Sequence, residues 1–237
     1  RNYKKPEGVR THKKFRNSWE PVFIYCRKGF DRDITQSNHG LGNDLTDNDH
    51  HDDASYPTMA RNDDNFQQHK CQKPVSAMRW LIHGLTLPGE KVVDLFCGSG
   101  TTGIAAIQLG RIFHGIETSK ESRSLAEARL AAFGKEERPS NGRVRKPSPS
   151  SVTQGNCTDL IPMLDDRSIN LCLCSPPYAD QRNGHYEGVS EAQYPEFTLR
   201  WMSPLWEKLA DDGSILIVIR PDLKHGVIGD YVLRTRL

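Results

Sequence analysis

The sequence lacks long hydrophobic runs and paired cysteines, and these absences exclude several classes of protein. No apolar stretch reaches the roughly 18 residues that a membrane-spanning helix requires. The opening residues Arg1-Asn2-Tyr3-Lys4-Lys5 have no apolar segment behind them, so we expect no secretory signal peptide in this chain. The six cysteines form no C-x-x-C pair, which argues against a zinc site or a disulfide framework. We therefore expect the cysteines to be reduced thiols in an intracellular protein.

The sequence also has little net charge, but the charge is unevenly distributed. Lys and Arg total 32 and Asp and Glu total 30, which leaves +2. Residues 1–30 carry nine basic and two acidic side chains, and we expect a basic arm followed by a strand. Residues 31–68 carry two basic and nine acidic side chains, and we expect a polar, acidic insert. The run His50-His51-Asp52-Asp53 lies there, but sequence neighbours rarely converge on one ion without a folded scaffold, so we predict no metal site.

From residue 69 onward, strand and helix patterns alternate. A helix is predicted from Lys73-Pro74 to just before Pro88, and apolar runs at 91–96 and 111–117 each lead into a helix. Two strand–helix units in sequence predict a parallel sheet, and hence an α/β fold. Residues 69–133 form one predicted half of this core. A basic connector at 134–151 separates it from a second half at 152–237, with strands at 152–155, 169–174 and 214–219 and a helix at 197–209.

A glycine turn between a strand and a helix is the first candidate site. Gly98 and Gly100 follow Asp94, at the sheet edge where open α/β sheets bind ligands. Glu117 ends the next strand about 20 residues further on, where dinucleotide-binding folds place a carboxylate that accepts ribose hydroxyl hydrogen bonds. Because Asp94 would repel a pyrophosphate, the pattern indicates a nucleoside cofactor with few phosphates and an amino group. An ordinary tight turn is the alternative.

The run Ser175-Pro176-Pro177-Tyr178, here called the tetrad, is the second candidate site. Two prolines directly after an apolar strand remove two N–H donors and end the strand ladder. Such a turn presents the Ser175 hydroxyl, the Pro176 carbonyl and the Tyr178 ring to one spot. An exocyclic amino group could donate to the two oxygens while its base stacks on the tyrosine, as in enzymes that flip a base. A strand-ending turn with a packed aromatic is the alternative.

Together these motifs resemble those of the amino-group DNA methyltransferases that use S-adenosylmethionine, in the β-type arrangement or its circular permutants. Residues 94–102 resemble the family's cofactor motif and residues 115–117 its ribose-binding motif. Residues 69–74 are similar to the segment that holds the methionine moiety, and Ser175–Tyr178 resembles the catalytic tetrad. The resemblance implies a catalytic role for Ser175, Pro176, Pro177 and Tyr178, and cofactor contacts from Lys73, Pro74, Asp94, Phe96, Cys97, Gly98, Ser99, Gly100, Thr101, Thr102, Glu117, Asn156 and Cys157.

The resemblance also implies a Rossmann-like class I methyltransferase fold, with helices on both faces of the sheet and a permuted motif order. Residues 18–25 resemble the strand that closes the catalytic half, yet they precede the cofactor motifs. One strand with its connection is then missing, so we expect a trimmed chain or a partner that supplies the strand. Residues 31–68 occupy the target-recognition position, where they form either a solvated loop or a segment that reads base edges. The basic runs at 10–16 and 138–146 are candidate contacts to DNA phosphates, with solvated surface as the alternative.

The resemblance implies transfer of a methyl group from S-adenosylmethionine to the exocyclic N4 of cytosine in DNA, by direct displacement on a flipped base. In the family a serine in the first tetrad position mostly accompanies cytosine N4 methylation, whereas aspartate accompanies adenine N6 methylation. Methylation of cytosine C5 would need a cysteine nucleophile after a proline, and the sequence has no Pro-Cys dipeptide.

The expected setting follows from the same resemblance. We expect double-stranded DNA as the partner, no membrane association, a homodimer or a second chain, and a companion restriction endonuclease. The expected location is the cytoplasm, for a bacterial, archaeal or phage-encoded protein. Three alternatives stay open: an adenine N6 methyltransferase, a DNA-binding subunit that is inactive without a second chain, and a methyltransferase acting on a metabolite or RNA.

Overall fold

The computed structural model describes residues 2–4, 19–27, 72–136, 149–179, 189–219, 223–224 and 227–228. The predicted acidic insert and both basic runs therefore lie outside the described residues, as do His69, Lys70 and Cys71.

The described elements alternate between strand and helix over most of the chain. The strands are β1 (Asn2–Lys4), β2 (Trp19–Cys26), β3 (Lys91–Asp94), β4 (Ile112–Glu117), β5 (Ser150–Gln154), β6 (Ile169–Cys174), β7 (Leu209–Val218), β8 (Leu223–Lys224) and β9 (Val227–Ile228). The helices are α1 (Val75–Leu85), α2 (Thr101–Gln108), α3 (Lys120–Glu136), α4 (Cys157–Leu160) and α5 (Tyr194–Lys208), with a 3₁₀ turn at Ile161–Met163. Within this part of the chain no helix has the length and apolar character needed to cross a bilayer.

Seven strands form one sheet in the order β1-β2-β7-β6-β3-β4-β5. The five strands from β7 to β5 run parallel, β2 pairs antiparallel with β7, and β1 pairs antiparallel with β2. The predicted α/β fold with a mainly parallel sheet is therefore confirmed. The permuted order is visible in the sheet, because β2 comes early in the chain but lies beside β7, which follows all the parallel strands.

The expectation that the sheet lacks a strand is corrected by β1. This short strand pairs with residues 19–21 of β2 and occupies the sheet position beyond it. Its sequence, Asn-Tyr-Lys, has no apolar alternation, so the sequence pattern did not reveal it. Boundaries also differ: β7 begins at Leu209 rather than at residue 214, and α5 begins at Tyr194 rather than at residue 197.

Alternate side chains of the central strands pack against helices on opposite faces of the sheet. Val92 and Leu171 belong to the core on the face covered by α1, α2 and α3. Their neighbours Val93 and Cys172 belong to the core on the other face, with α4 and α5. This alternation is the period of a β-strand, and it confirms the predicted helices on both faces.

Helix α1 shows how the first of these cores is built. Val75, Met78, Ile82 and Leu85 are all buried, so one stripe of the helix faces the sheet. Pro74 precedes the first turn, where a missing N–H is tolerated. The helix ends at Leu85, and the hydroxyl of the following residue, Thr86, donates to the Ile82 carbonyl at 2.6 Å. Lys73 lies directly before Pro74, at the beginning of this helix.

Candidate active site

Strands β3 and β6 are neighbours, and their carboxyl ends bring the two predicted motifs to one edge of the sheet. The strands pair in parallel, with Val92 opposite Leu171 and Val93 opposite Cys172. The glycine loop, residues 95–100, leaves the end of β3, and the tetrad leaves the end of β6. This is the edge at which open α/β sheets bind their ligands.

The glycine loop is held by two carboxylates. Asp94 is buried; its Oδ1 accepts from the Phe96 amide at 3.0 Å and its Oδ2 accepts from the Thr102 hydroxyl at 2.6 Å. The Gly98 amide donates to Glu117 Oε2 at 2.7 Å, across from β4. Gly98 and Gly100 have φ of +52° and +80°, in the left-handed region that favours glycine.

Glu117 links the end of β4 to the loop, at the position where a ribose-binding carboxylate was predicted. Its Oε1 also accepts from the Ser119 amide at 2.9 Å and lies 3.4 Å from the Thr118 hydroxyl. An ionised carboxylate offers about four acceptor positions, so these bonds leave room for a further hydroxyl donor. A Cβ placed on Gly98 would meet nothing closer than the Phe96 carbonyl at 3.9 Å. The residues present therefore fit a nucleoside lying over the loop beside Glu117.

Arg129 and Gly103 also shape this loop, and the sequence analysis missed both. Arg129 is buried on α3 and donates to the Ser99 carbonyl at 2.5 Å. A Cβ on Gly103 would lie 2.5 Å from the Phe113 ring, so glycine is required for α2 to approach β4. The sequence contained a signal for each residue. Arg129 lies on the same helix stripe as Ala126 and Leu130, and Gly103 completes a G-x-G-x-x-G spacing that begins at Gly98.

Burial changes the protonation of the acidic groups in the loop. It raises the pKa of Asp94 to about 6, an effect that the bonds from Thr102 and Phe96 oppose and the nearby Glu117 charge reinforces. Burial, with the Asp94 and Glu117 charges, raises the pKa of the Cys97 thiol well above its ordinary value. Cys97 is therefore protonated at neutral pH and acts as a small apolar side chain.

Lys73 lies against the tetrad. Its ammonium donates to the Tyr178 hydroxyl oxygen at 3.0 Å. The Tyr178 oxygen is in turn 3.4 Å from Ser175 Oγ. Ser175, Pro177 and Tyr178 are half-buried, while Pro176 is buried. Two segments that the sequence analysis treated separately, the residues before α1 and the tetrad, are thus in contact.

Several other predicted cofactor residues use their side chains within the protein. Asn156 Oδ1 caps α4 by accepting from the Thr158 amide at 3.1 Å and from its hydroxyl at 2.9 Å. Cys157 is buried in the core, and burial raises the pKa of its thiol to about 12. The Phe96 ring lies edge-on to Trp201, with 5.6 Å between ring centroids. The remaining predicted side chains here are buried within the protein: Pro74, Ser99, Thr101 and Thr102.

Comparison with known proteins yields a family match and several partial relatives. The family model described as DNA methylase, N6_N4_Mtase, matches residues 1–128, which includes β2, the glycine loop and Glu117. The Type II methyltransferase M2.DpnII of Streptococcus pneumoniae is 32% identical over 119 residues, 50% of this chain and 44% of that protein. The Type II methyltransferase M2.LlaDCHI of Lactococcus lactis subsp. cremoris is 30% identical over 117 residues, 49% of this chain and 43% of that protein.

A third relative matches a shorter stretch. The DNA adenine methyltransferase YhdJ of Escherichia coli (strain K12) is 40% identical over 67 residues, 28% of this chain and 23% of that protein. The chain spans less than half the length of these three curated relatives. The family match covers more than half of the chain, and it falls on the elements that build the glycine loop. The chain belongs to the N6/N4 DNA methylase family.

Proposed function

We propose that this chain transfers a methyl group from S-adenosylmethionine to the exocyclic N4 of cytosine in DNA. The observation that carries the proposal is the placement of the tetrad beside the glycine loop and Glu117, at the ends of neighbouring strands. Family membership supplies the general reaction, and the serine at position 175 supports cytosine N4 as the acceptor.

The cofactor would lie across the glycine loop, held by backbone from Gly98 to Gly100 and by Glu117. When bound, S-adenosylmethionine supplies an electrophilic methyl group on a sulfonium. A ribose hydroxyl is the natural donor to the acceptor capacity that Glu117 retains. Asp94 lies beneath the loop and contributes negative charge for a cationic cofactor.

The tetrad would orient the acceptor amine. Ser175 Oγ and the Pro176 carbonyl accept its N–H bonds, which favours a pyramidal nitrogen whose lone pair can attack in line, while the base stacks on Tyr178. The proton can leave after the methyl group has moved, so no strong base is required. Position and electrostatics then supply most of the rate enhancement.

The cysteines next to the tetrad support amine methylation over C5 methylation. Cys174 directly precedes Ser175 and is buried. Burial, with a hydrogen bond to Cys172, raises the pKa of its thiol well above the ordinary value. A C5 mechanism needs a thiolate nucleophile, and this thiol is held protonated.

Double-stranded DNA is the proposed substrate, and the remaining partners are proposals of the same kind. The basic runs at 10–16 and 138–146 would bind phosphates, and residues 31–68 would contribute to target recognition. A second copy or a second chain, and a companion restriction endonuclease, would complete the system.

Nucleoside analysis tests the proposed acceptor. Unmethylated plasmid DNA is incubated with the chain and S-adenosylmethionine labelled in the methyl group, then digested to nucleosides. The nucleosides are separated by liquid chromatography against standards and identified by mass, because N4-methyl- and 5-methyldeoxycytidine have the same mass. We expect label in N4-methylcytosine, and duplex RNA of the same sequence to stay unlabelled. Label in N6-methyladenine alone would overturn the cytosine assignment, and label in RNA alone would overturn the DNA assignment.

Adenine N6 methylation is the second candidate. It is favoured by the relative whose name is DNA adenine methyltransferase, which is 40% identical over its matched segment. The same scaffold suits both amines, because each is an exocyclic nitrogen conjugated with its ring. The nucleoside analysis separates the two, since it identifies the modified base directly.

A further inference from the structure

The contact between Lys73 and Tyr178 joins two parts of the site that are 105 residues apart in sequence. The ammonium nitrogen is 3.0 Å from the hydroxyl oxygen but 5.7 Å from the ring centroid. The interaction is therefore a hydrogen bond to the oxygen at the end of the ring. It does not cover a ring face, so it leaves the stacking surface that the proposed mechanism needs.

The direction of this hydrogen bond is fixed by chemistry. A lysine ammonium has three donors and no acceptor, so Tyr178 Oη must accept. Ser175 Oγ lies 3.4 Å from the same oxygen, longer than the roughly 2.5–3.0 Å usual for two hydrogen-bonded hydroxyls. Hydrogen bonds in a site without substrate are often long and tighten when the substrate binds. Lys73, Tyr178 and Ser175 thus form a chain of polar groups. The chain ends at Ser175 Oγ, the proposed hydrogen-bond acceptor for the substrate amine.

A serine hydroxyl can donate or accept a hydrogen bond. To accept a hydrogen bond from the N–H of the substrate amine, Ser175 must present an oxygen lone pair to it. Ser175 therefore needs an acceptor for its own hydrogen, and Tyr178 Oη is within reach of it. Without a fixed partner, the tyrosine oxygen and the serine hydrogen would sample several arrangements. A charge-assisted bond from Lys73 restricts that sampling, because such bonds are about twice as strong as neutral ones.

We propose that Lys73 is a positioning residue for methyl transfer: it fixes Tyr178 Oη, and through it the orientation of the Ser175 hydroxyl. This inference rests on the proposed function and assigns Lys73 a different task from the cofactor contact that the sequence resemblance implies. It also means that the segment leading into α1 supports the catalytic turn. A cofactor role and a positioning role differ in what they change: the first alters cofactor affinity, and the second alters turnover.

Four variants of the 237-residue chain test the role: Lys73→Met, Lys73→Arg, Tyr178→Phe and the double variant Lys73→Met/Tyr178→Phe. We expect Lys73→Met to lower kcat about tenfold, with the Kd for S-adenosylmethionine changed by less than about twofold. Lys73→Arg keeps a donor and should recover most of the rate. In the Tyr178→Phe background, Lys73→Met should cause no further loss, because the two residues act as one unit.

A spectroscopic measurement follows the contact independently of turnover. In protein labelled with ¹³C at tyrosine Cζ, the Tyr178 resonance is identified by its loss in Tyr178→Phe. It should shift in Lys73→Met and stay in place in the control Lys91→Met, whose lysine lies at the opposite edge of the sheet beside Ser168. Melting curves of all variants confirm that each is folded.

The outcomes distinguish this inference from the proposed function. Three results with an active parent chain would each overturn the positioning role alone. They are an unchanged kcat in Lys73→Met, additive losses of kcat in the double variant, and a raised Kd for S-adenosylmethionine in place of a lowered kcat. An unmoved Tyr178 resonance would overturn the contact itself. A parent chain that methylates no DNA would overturn the proposed function, and the positioning role with it.

Discussion

The two sides of the candidate site are held in different ways. The glycine loop is supported by buried or strand-end groups that belong to the fold: Asp94 beneath it, Glu117 on the neighbouring strand and Arg129 on α3. The tetrad is shaped by its own prolines and by polar contacts of Tyr178 with Ser175 and Lys73. The glycine loop is thus part of the core, while the tetrad is a turn attached to it.

This difference predicts which property each side controls. Groups that hold the glycine loop also hold strands and helices together, so changing them affects stability and cofactor affinity at once. The side chains of Ser175 and Tyr178 are half-buried at the sheet edge, so changing them should affect turnover with little effect on folding. Three experiments test this separation, and they are ordered here by the size of the expected effect.

The largest effect is expected from Ser175→Ala. Loss of one preorganised polar contact to the reacting group typically lowers kcat by about 100-fold. The Kd for S-adenosylmethionine and the melting temperature should stay close to those of the parent. Steady-state kinetics, calorimetric titration and thermal melts measure the three quantities. Ser168→Ala at the opposite edge of the sheet is the matched control, and an equal loss in it would contradict the assigned role of Ser175.

Glu117→Gln should weaken cofactor binding by about 30-fold, the range expected when a charged hydrogen-bond acceptor is replaced by a neutral one. The melting temperature should fall as well, because Glu117 Oε2 accepts from Gly98 and joins β4 to the loop. Titration calorimetry and thermal melts provide both values. Glu127→Gln is the control, since Glu127 pairs with Arg123 on the exposed face of α3. If Glu117→Gln lost turnover but kept its affinity for S-adenosylmethionine, the predicted division between cofactor binding by the glycine loop and turnover by the tetrad would be wrong.

The smallest effect is a pH dependence of cofactor affinity set by Asp94. Its pKa of about 6 means that the carboxylate is ionised above pH 6 and protonated below it. A cationic cofactor favours the ionised form, so affinity for S-adenosylmethionine should fall by up to about tenfold between pH 7 and pH 5. Titrations across this range measure the change, and Asp94→Asn should remove it.

The stability of the cofactor-free chain should depend on Asp94 with the opposite sign. The pKa of this carboxyl rises from 3.8 to about 6 on folding, so the folded chain binds the proton more tightly. Protonation of Asp94 therefore favours folding below pH 3.8, and this contribution is lost as pH rises through 6. The difference in unfolding free energy between parent and Asp94→Asn, followed with pH, isolates this group. A flat difference would contradict the raised pKa.

Much of the fold was predictable because its central strands are short apolar runs that end in recognisable turns. The runs that became β3, β4 and β6 were identified, as were the glycine loop and Glu117. A short apolar run in the sequence is enough to predict a strand that is buried on both faces. It failed for β1, which has no apolar period, and for the beginning of β7, where Asp211, Asp212 and Gly213 precede the predicted apolar run.

The contacts inside the site were less predictable because they join residues that are distant in sequence. The sequence places Arg129 on the apolar stripe of α3, but only the packing of α3 brings the Ser99 carbonyl against its guanidinium. Lys73 lies in a segment whose motif points to the cofactor, yet its ammonium meets Tyr178. Sequence spacing can identify such residues as candidates, but only the packing of α1 and α3 determines which partner each of them contacts.

The distances along the chain also differ between the two sides, and this affects how the site assembles. The Gly98–Glu117 bond closes a loop of 19 residues, whereas the Lys73–Tyr178 bond spans 105. Loop-closure entropy makes the longer closure less favourable by about 1.5 kcal/mol. During folding, the bond at the glycine loop should therefore form before the contact between Lys73 and Tyr178, so that the two sides of the site assemble one after the other.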